Sequence, residues 1–202
     1  MARYTGPKAR VNRRLSSQVY ENSGATRAHE RRDHPPGMHT RPRRPSNYGT
    51  ALMEKQKVKH YYGLGERQLR RYFDKAGGMK GNTGEQLLLI CEQRLDNVVR
   101  RAGLANSRPQ ARQGIVHGHF QVNGVTVNRP SYELRPGDVV TIRNKARFHT
   151  LYRSIADNAQ GEPLDWLSVD SETLRVTVQG RPGPEDISLP VDANIVVEFL
   201  SR

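Results

Sequence analysis

The chain has one cysteine in 202 residues, Cys91. A disulfide within the chain is therefore impossible, and a disulfide-stapled fold is excluded. Cys91 lies in the apolar run Leu87 to Cys91 and reads as a small buried side chain. No apolar stretch approaches the ~18 residues of a membrane span, and the N-terminus lacks the apolar core of a signal peptide. The expectation is a cytoplasmic protein with no membrane partner. Aromatic residues make up only 6%; Tyr4, Tyr20 and Tyr48 could stack on bases, but aromatics this sparse are weak evidence for it.

The motifs of nucleotide and acyl chemistry are missing as well. There is no Gly-x-x-x-x-Gly-Lys-Ser/Thr loop, no Gly-x-Gly-x-x-Gly and no nucleophile elbow. Gly63-Leu-Gly65 lacks a third glycine. His29, His34 and His39 stand five apart in a segment without cysteine or evident fold, a poor basis for zinc. No catalytic residue, metal, cofactor or small-molecule substrate is expected.

What the chain does have is positive charge, unevenly spread. The net charge is +13. Residues 1–82 carry 19 basic and 6 acidic side chains, residues 83–153 carry 11 and 5, and residues 154–202 carry 3 and 9. A basic front and an acidic back imply a polyanion on one side and a different partner on the other.

Residues 1–48 read as a basic, largely irregular extension, because Pro35-Pro36-Gly37, Pro42 and Pro45 oppose long helices and large apolar residues are few. Arg3, Arg10, Arg13 and Arg14 are its candidate phosphate contacts. Residues 49–93 read as a helical domain, completed by 154–202. A first helix carries Lys55, Lys57 and Lys59 and stops near Gly63. A second, from Glu66 to Ala76, buries Leu69, Tyr72 and Phe73 and presents Arg67, Arg70 and Arg71. An apolar helix begins at Glu85, and the apolar stretch 194–200 reads as a last strand.

Residues 94–153 form the most informative block. Leu95, Val98, Val99 and Ala102 recur at helical spacing, which puts Arg94, Asn97 and Arg101 on an outward face with Arg100 beside them. Ser107 is a helix cap and Pro109 suits a first turn. In this second helix Ala111 and Ile115 point inward while Arg108 and Arg112, four apart, point outward. Val122-Asn123-Gly124-Val125 is a hairpin signal, and Pro136-Gly137-Asp138 leads into the strand Val139 to Ile142. A helix follows from Phe148 to Ala159, then a strand from Leu174 to Val178. Glu92 and Asp96, beside the arginines, are expected to orient them rather than catalyse. Gln110, Gln113, His117, His119 and Asn123 gather hydrogen-bonding capacity near the arginines. Guanidinium forks match phosphate oxygens, so the block reads as a nucleic-acid platform; with no helix-turn-helix dimer, zinc finger or basic zipper, RNA is the expected ligand.

These residues resemble the RNA-binding module named after small-subunit ribosomal protein S-four. It pairs an Arg-Leu-Asp helix with a Ser/Thr-Arg-x-x-Ala-Arg helix, then His-Gly-x-x-x-Val-Asn-Gly and Pro-Gly-Asp, all present from Arg94 to Asp138. The first residues Met1-Ala-Arg-Tyr-Thr-Gly-Pro, the stretch Glu54 to Lys59, Tyr62 to Gln68 and the ending Val197 to Arg202 extend the likeness along nearly the whole chain. The resemblance implies an α+β fold: a basic extension, a helical domain, and a module of two helices with a short antiparallel sheet. It implies a primary binder of 16S rRNA that nucleates assembly of the small-subunit body. Its other implied partners are a neighbouring ribosomal protein, S-five, and mRNA near the channel mouth, with an influence on translational accuracy. Many family members carry a zinc-binding cysteine cluster near the N-terminus; residues 1–48 here have no cysteine, so the resemblance is to a metal-free form. An RNA-modifying enzyme using the same module would need a larger catalytic domain. A stress or rescue factor would lack the first ninety residues.

Overall fold

The computed structural model describes residues 4–32, 34–38, 44–157 and 164–201. Arg3 and His39 lie outside them. The chain divides into two compact units. One runs to Leu88 and resumes at Ser188; the other spans Leu89–Ile187.

The first unit is helical. α1 (Lys8–Leu15) and α2 (Ser23–Arg31) pack on each other, with Val11, Leu15 and Ala25 buried on the helices and Val19 and Tyr20 buried in the connection between them. Asn12, fully buried, closes the turn between them: its Nδ2 donates to the Tyr20 carbonyl and its Oδ1 accepts from the Tyr20 N–H, both at 2.9 Å. The irregular extension expected from the prolines is thus corrected over residues 8–31. The prolines that oppose helices all follow α2, and a few apolar residues at helical spacing suffice when one buried amide satisfies the turn.

α3 (Asn47–Tyr61) starts at Ser46, whose hydroxyl accepts from the Gly49 N–H at 3.2 Å. α4 (Glu66–Gly77) buries Leu69, Tyr72 and Ala76. α5 (Thr83–Glu92) begins in this unit. The last element, α9 (Ala193–Ser201), is a helix and not the strand expected from the apolar stretch 194–200. Short apolar runs fit either period. Here Asp192 accepts at Oδ1 from the N–H groups of Asn194 and Ile195, starting a helix that packs along α3. Gly84 permits the close approach of α5, since a Cβ there would lie 2.8 Å from that of Ala193.

The second unit packs α6 (Leu95–Arg101), α7 (Arg108–Val116) and α8 (Ala146–Asp157) with an antiparallel sheet. Its strands are β1 (Phe120–Val122), β2 (Val125–Thr126), β3 (Val139–Ile142), β4 (Leu167–Asp170) and β5 (Arg175–Val178), in the order β2-β1-β3-β5-β4. Their register sets Val122 opposite Val125 and Val140, and Val140 opposite Val176. Phe120, Val122, Val140, Ile142, Val176 and Val178 face a core completed by Leu95, Val98, Val99, Ile115, Tyr152 and Trp166. β4 adds a strand that the sequence reading lacks, and the stretch assigned by sequence to the helical domain divides differently. α8, β4 and β5 belong to the second unit, because β5 pairs with β3; only the chain from Ser188 returns to the first.

The hairpin at Asn123-Gly124 forms as the turn chemistry requires, with φ of 51° and 80°. Asn123 Oδ1 also accepts from the Val139 N–H, and its Nδ2 donates to Asp138 Oδ1, both at 2.9 Å.

Candidate nucleic-acid interface

In the second unit, α6 and α7 lie against each other, and their polar residues fall into two layers. The inner layer is buried. Arg94 is 0% exposed: its Nε donates to Asp96 Oδ1 at 3.0 Å and its Nη2 to Asp96 Oδ2 at 2.6 Å. Arg112 Nη1 stands 3.6 Å from the same Oδ2, with the residue 9% exposed. Asn97 is buried and donates through Nδ2 to the Glu92 backbone carbonyl at 3.1 Å and to Glu92 Oε2 at 2.5 Å.

This corrects the outward placement of Arg94, Asn97 and Arg112. The helical wheel identifies one buried face of α6, but a second is covered by a loop. Leu95 N–H donates to the Tyr132 carbonyl at 2.8 Å, Asp96 N–H to that of Pro130 at 3.2 Å, and Arg94 forms an antiparallel bridge with Glu133. Residues 130–134 thus close over the first turn of α6, and charges buried there must be paired. Glu92 and Asp96 do orient arginines and asparagine, as their position beside the arginines predicts.

The outer layer is accessible. Asn97 Oδ1 accepts from Arg108 Nε at 2.8 Å, so a buried carboxylate, through one amide, aims a half-exposed guanidinium. Ser107, Gln110, Gln113 and His117, three or four residues apart, line one edge of α7, with Gln110 and His117 exposed. Gln113 and His117 hydrogen-bond to each other. Ser107 sits at the helix N-cap without a side-chain capping bond. Arg100 and Arg101 are half-buried at the end of α6, and Arg101 Nη2 donates to the Asp186 carbonyl at 3.0 Å. Asn123 is exposed, but its amide is committed to the hairpin.

His119 stacks on Phe148 at 4.0 Å between centroids, and its Nδ1 pairs with the Tyr152 hydroxyl at 2.8 Å. Burial, then the positive neighbours His117, Arg147 and Lys145, lower its pKa below 6.5. Burial pushes the Tyr152 hydroxyl up to about 12, so it stays protonated. Arg143, Lys145 and Arg147 are exposed at the β3–α8 junction, and the Arg147 guanidinium lies 4.9 Å from the Phe148 ring. Sequence reasoning missed this basic group beside His119. The alternation Arg143-Asn-Lys145-Ala-Arg147 after a strand was its visible signal.

In the first unit the lysines of α3 are largely spent within the protein. Lys55 is buried, 2.8 Å from Glu66 Oε1, with its Nζ 4.6 Å from the Phe199 ring. Lys59 pairs with Glu66 Oε2 at 3.1 Å and Lys57 with Glu54 at 2.6 Å. Burial raises the Glu66 pKa, but hydrogen bonds from Lys55 and Lys59 outweigh it, and the net shift is down. Lys55 as an outward contact is therefore corrected: it staples α3 to α4. Arg67, Arg70 and Arg71 on α4, by contrast, are exposed and make no ion pair among the described residues. Arg10 and Arg14 are exposed on α1, whereas Arg13 donates to the carbonyls of His34 and Pro35 at 2.9 and 3.3 Å. Among the described residues no three His, Cys, Asp or Glu side chains group so as to hold a metal ion. No described helix is long and apolar enough to cross a membrane.

Two family models cover this architecture. Residues 3–92 match the ribosomal protein S4/S9 N-terminal domain, and residues 93–140 match the S4 domain. The chain is 67% identical over all 202 residues to the small ribosomal subunit protein uS4 of Rhodopirellula baltica, with both chains covered in full. It is 46% identical to uS4 of Halothermothrix orenii and 45% identical to that of Mycobacterium bovis, again across the whole of each chain. The chain belongs to the uS4 family of ribosomal proteins. That family is structural and not enzymatic. The S4 domain match ends at Val140, inside β3, whereas the second unit continues through α8, β4 and β5.

Proposed function

We propose that this uS4-family chain is a structural constituent of the small ribosomal subunit, working in the cytoplasm as part of the ribosome. Its ligand is 16S rRNA, which it binds as a primary protein and whose folding it nucleates during assembly. The observation that carries the RNA-binding part is the Glu92–Asn97–Arg108 relay beneath the polar edge of α7. A guanidinium held in place beforehand loses less side-chain entropy on meeting phosphate. Polar hydroxyl, amide and imidazole groups in line with it suit an irregular backbone read by shape.

The contacting residues in this reading are Ser107, Arg108, Gln110, Gln113 and His117 on α7, Arg100 and Arg101 beside them, and Arg67, Arg70 and Arg71 on α4. Arg10 and Arg14 extend the same surface chemistry on α1. Arg94, Asn97 and Arg112 act beneath it, as positioning residues. The acidic residues after Asp157 repel phosphate and suit contact with a neighbouring ribosomal protein, S-five, through which decoding accuracy and the mRNA path are influenced.

The test is binding of the full-length protein to 16S 5′-domain RNA against a 23S fragment of equal length, at matched salt. Preference for the 16S RNA by a hundredfold or more is expected. Equal affinity for both would sink the primary-binder reading.

A further inference from the structure

α2 carries a pocket that none of the residues assigned above, Arg13 apart, helps to form. Its volume is about 420 Å³, and Arg13, Gly24, Arg27, Ala28, Arg31 and Arg32 line it. Four arginines line the space, and among the described residues no acidic residue does. Gly24, Arg27, Ala28 and Arg31 recur at helical spacing and so share one face of α2. Arg27 and Arg31, four apart, are a like-charge pair that by itself weakens a helix. Arg27, Arg31 and Arg32 are exposed and make no ion pair among the described residues.

The pocket is also built rather than merely charged. Arg13 reaches it from α1 with its guanidinium fixed by the carbonyls of His34 and Pro35. The floor is small: Gly24 and Ala28 let a ligand approach the helix, and a Cβ on Gly24 would meet nothing closer than 3.9 Å. Among the described residues no aromatic or large apolar side chain lines it, so they offer no seat for a nucleobase. All four cations are arginine, whose planar forks pair with the oxygens of a tetrahedral anion in a way that lysine does not.

We propose that this pocket is a phosphate-binding site. Its occupant is either a backbone phosphate of bound RNA, in which case the site rests on the rRNA reading above, or a free phosphate or pyrophosphate group, in which case it does not. Either occupant relieves the Arg27–Arg31 repulsion and ties α1 to α2.

Two measurements on the full-length protein separate these sources. One is titration with sodium pyrophosphate, followed by phosphorus NMR. The other is the slope of log K against log salt on 16S 5′-domain RNA. Both are repeated for R27Q/R31Q and for R175Q/R181Q, a pair of exposed arginines of the second unit that removes the same charge. A saturable one-to-one pyrophosphate signal, abolished in R27Q/R31Q and kept in R175Q/R181Q, establishes the site with a free ligand. Without that signal, an RNA salt slope shallower by roughly 1–2 in R27Q/R31Q alone assigns the pocket to RNA, at about 0.7–0.9 for each phosphate no longer neutralised. If the two pairs behave alike in both measurements, the site does not exist.

R27K/R31K preserves charge and helix propensity, so it guards against a misfolded variant. It should weaken whichever ligand binds by several-fold; unchanged binding would mean diffuse attraction and overturn the proposal. Wild-type protein that fails to prefer 16S RNA would refute the rRNA reading, while the pyrophosphate arm would still judge the pocket.

Discussion

Arg94 and Asp96, two residues apart at the start of α6, grip each other at two points, Nε to Oδ1 at 3.0 Å and Nη2 to Oδ2 at 2.6 Å, with Arg94 shut away from solvent. The pairing makes Arg94 a part of the core. Removing one member of a buried ion pair leaves the other charge stranded, at a cost of about 3–5 kcal/mol. Arg94→Ala should therefore lower the unfolding free energy of the second unit by that order, measured by urea denaturation. Weaker RNA binding without any fall in stability would return Arg94 to the surface. Replacing Arg94, Arg108 and Arg112 together by Glu would test folding before it tested binding.

Asn123 plays a second role that its exposure conceals. It holds a φ of 51°, and its amide bridges Asp138 and the Val139 N–H. Asn123→Ala loses both bonds and strains the backbone, for a destabilisation of about 1–3 kcal/mol. Asn123→Gly keeps the backbone at ease and should cost less. Thermal unfolding of the two variants checks the order; a less stable glycine variant would mean that the turn conformation is not what asparagine supplies.

Two histidines make stability fall in mild acid. Burial lowers the pKa of His60 below 6.5, with Lys59 and Arg14 adding to the effect; burial does the same for His119, with His117, Arg147 and Lys145. The unfolded chain then takes up these protons first, so stability is full above about pH 6.5 and declines as pH falls through and below it. The melting temperature should drop between pH 7.5 and 5.5, and H60Q/H119Q should flatten that drop. An equally steep decline in the double variant would assign it to other groups.

How much of this was legible in the sequence depended on how local each cause is. The Asn123-Gly124 hairpin, the Leu95–Val98–Val99 face and the α4 stripe follow from turn chemistry or period, and all could be read along the chain. The burial of Arg94, Asn97 and Arg112 could not. Arg94 is bridged to Glu133 within residues 130–134, more than thirty positions away, Asn97 is held by Glu92 and Arg108, and Arg112 reaches Asp96 from the next helix; no helical wheel contains these partners. The helical state of α9 was closer to readable, because Asp192 before Ala193-Asn194 is a helix-start signal. The commitment of Lys55 to Glu66 and Phe199 again required the packing of α3 against α9.

The exposed arginines of α4 separate binding from stability most cleanly. Arg67, Arg70 and Arg71 touch no acid among the described residues, while Glu66 beside them is occupied by Lys55 and Lys59. Replacing all three by Gln should leave unfolding within about 0.5 kcal/mol of wild type, as expected for surface changes outside any network. If each meets one phosphate, the slope of log K against log salt on 16S RNA should become shallower by roughly 2–3, at about 0.7–0.9 per phosphate. On the proposed function, preference for 16S over other RNA should persist at low salt, because phosphate contacts would position the protein while shape is read at the α7 edge. A solvated, non-contacting α4 face predicts an unchanged slope. Measuring stability and slope on the same preparation decides between these readings, since only contact with RNA moves the second quantity and leaves the first alone.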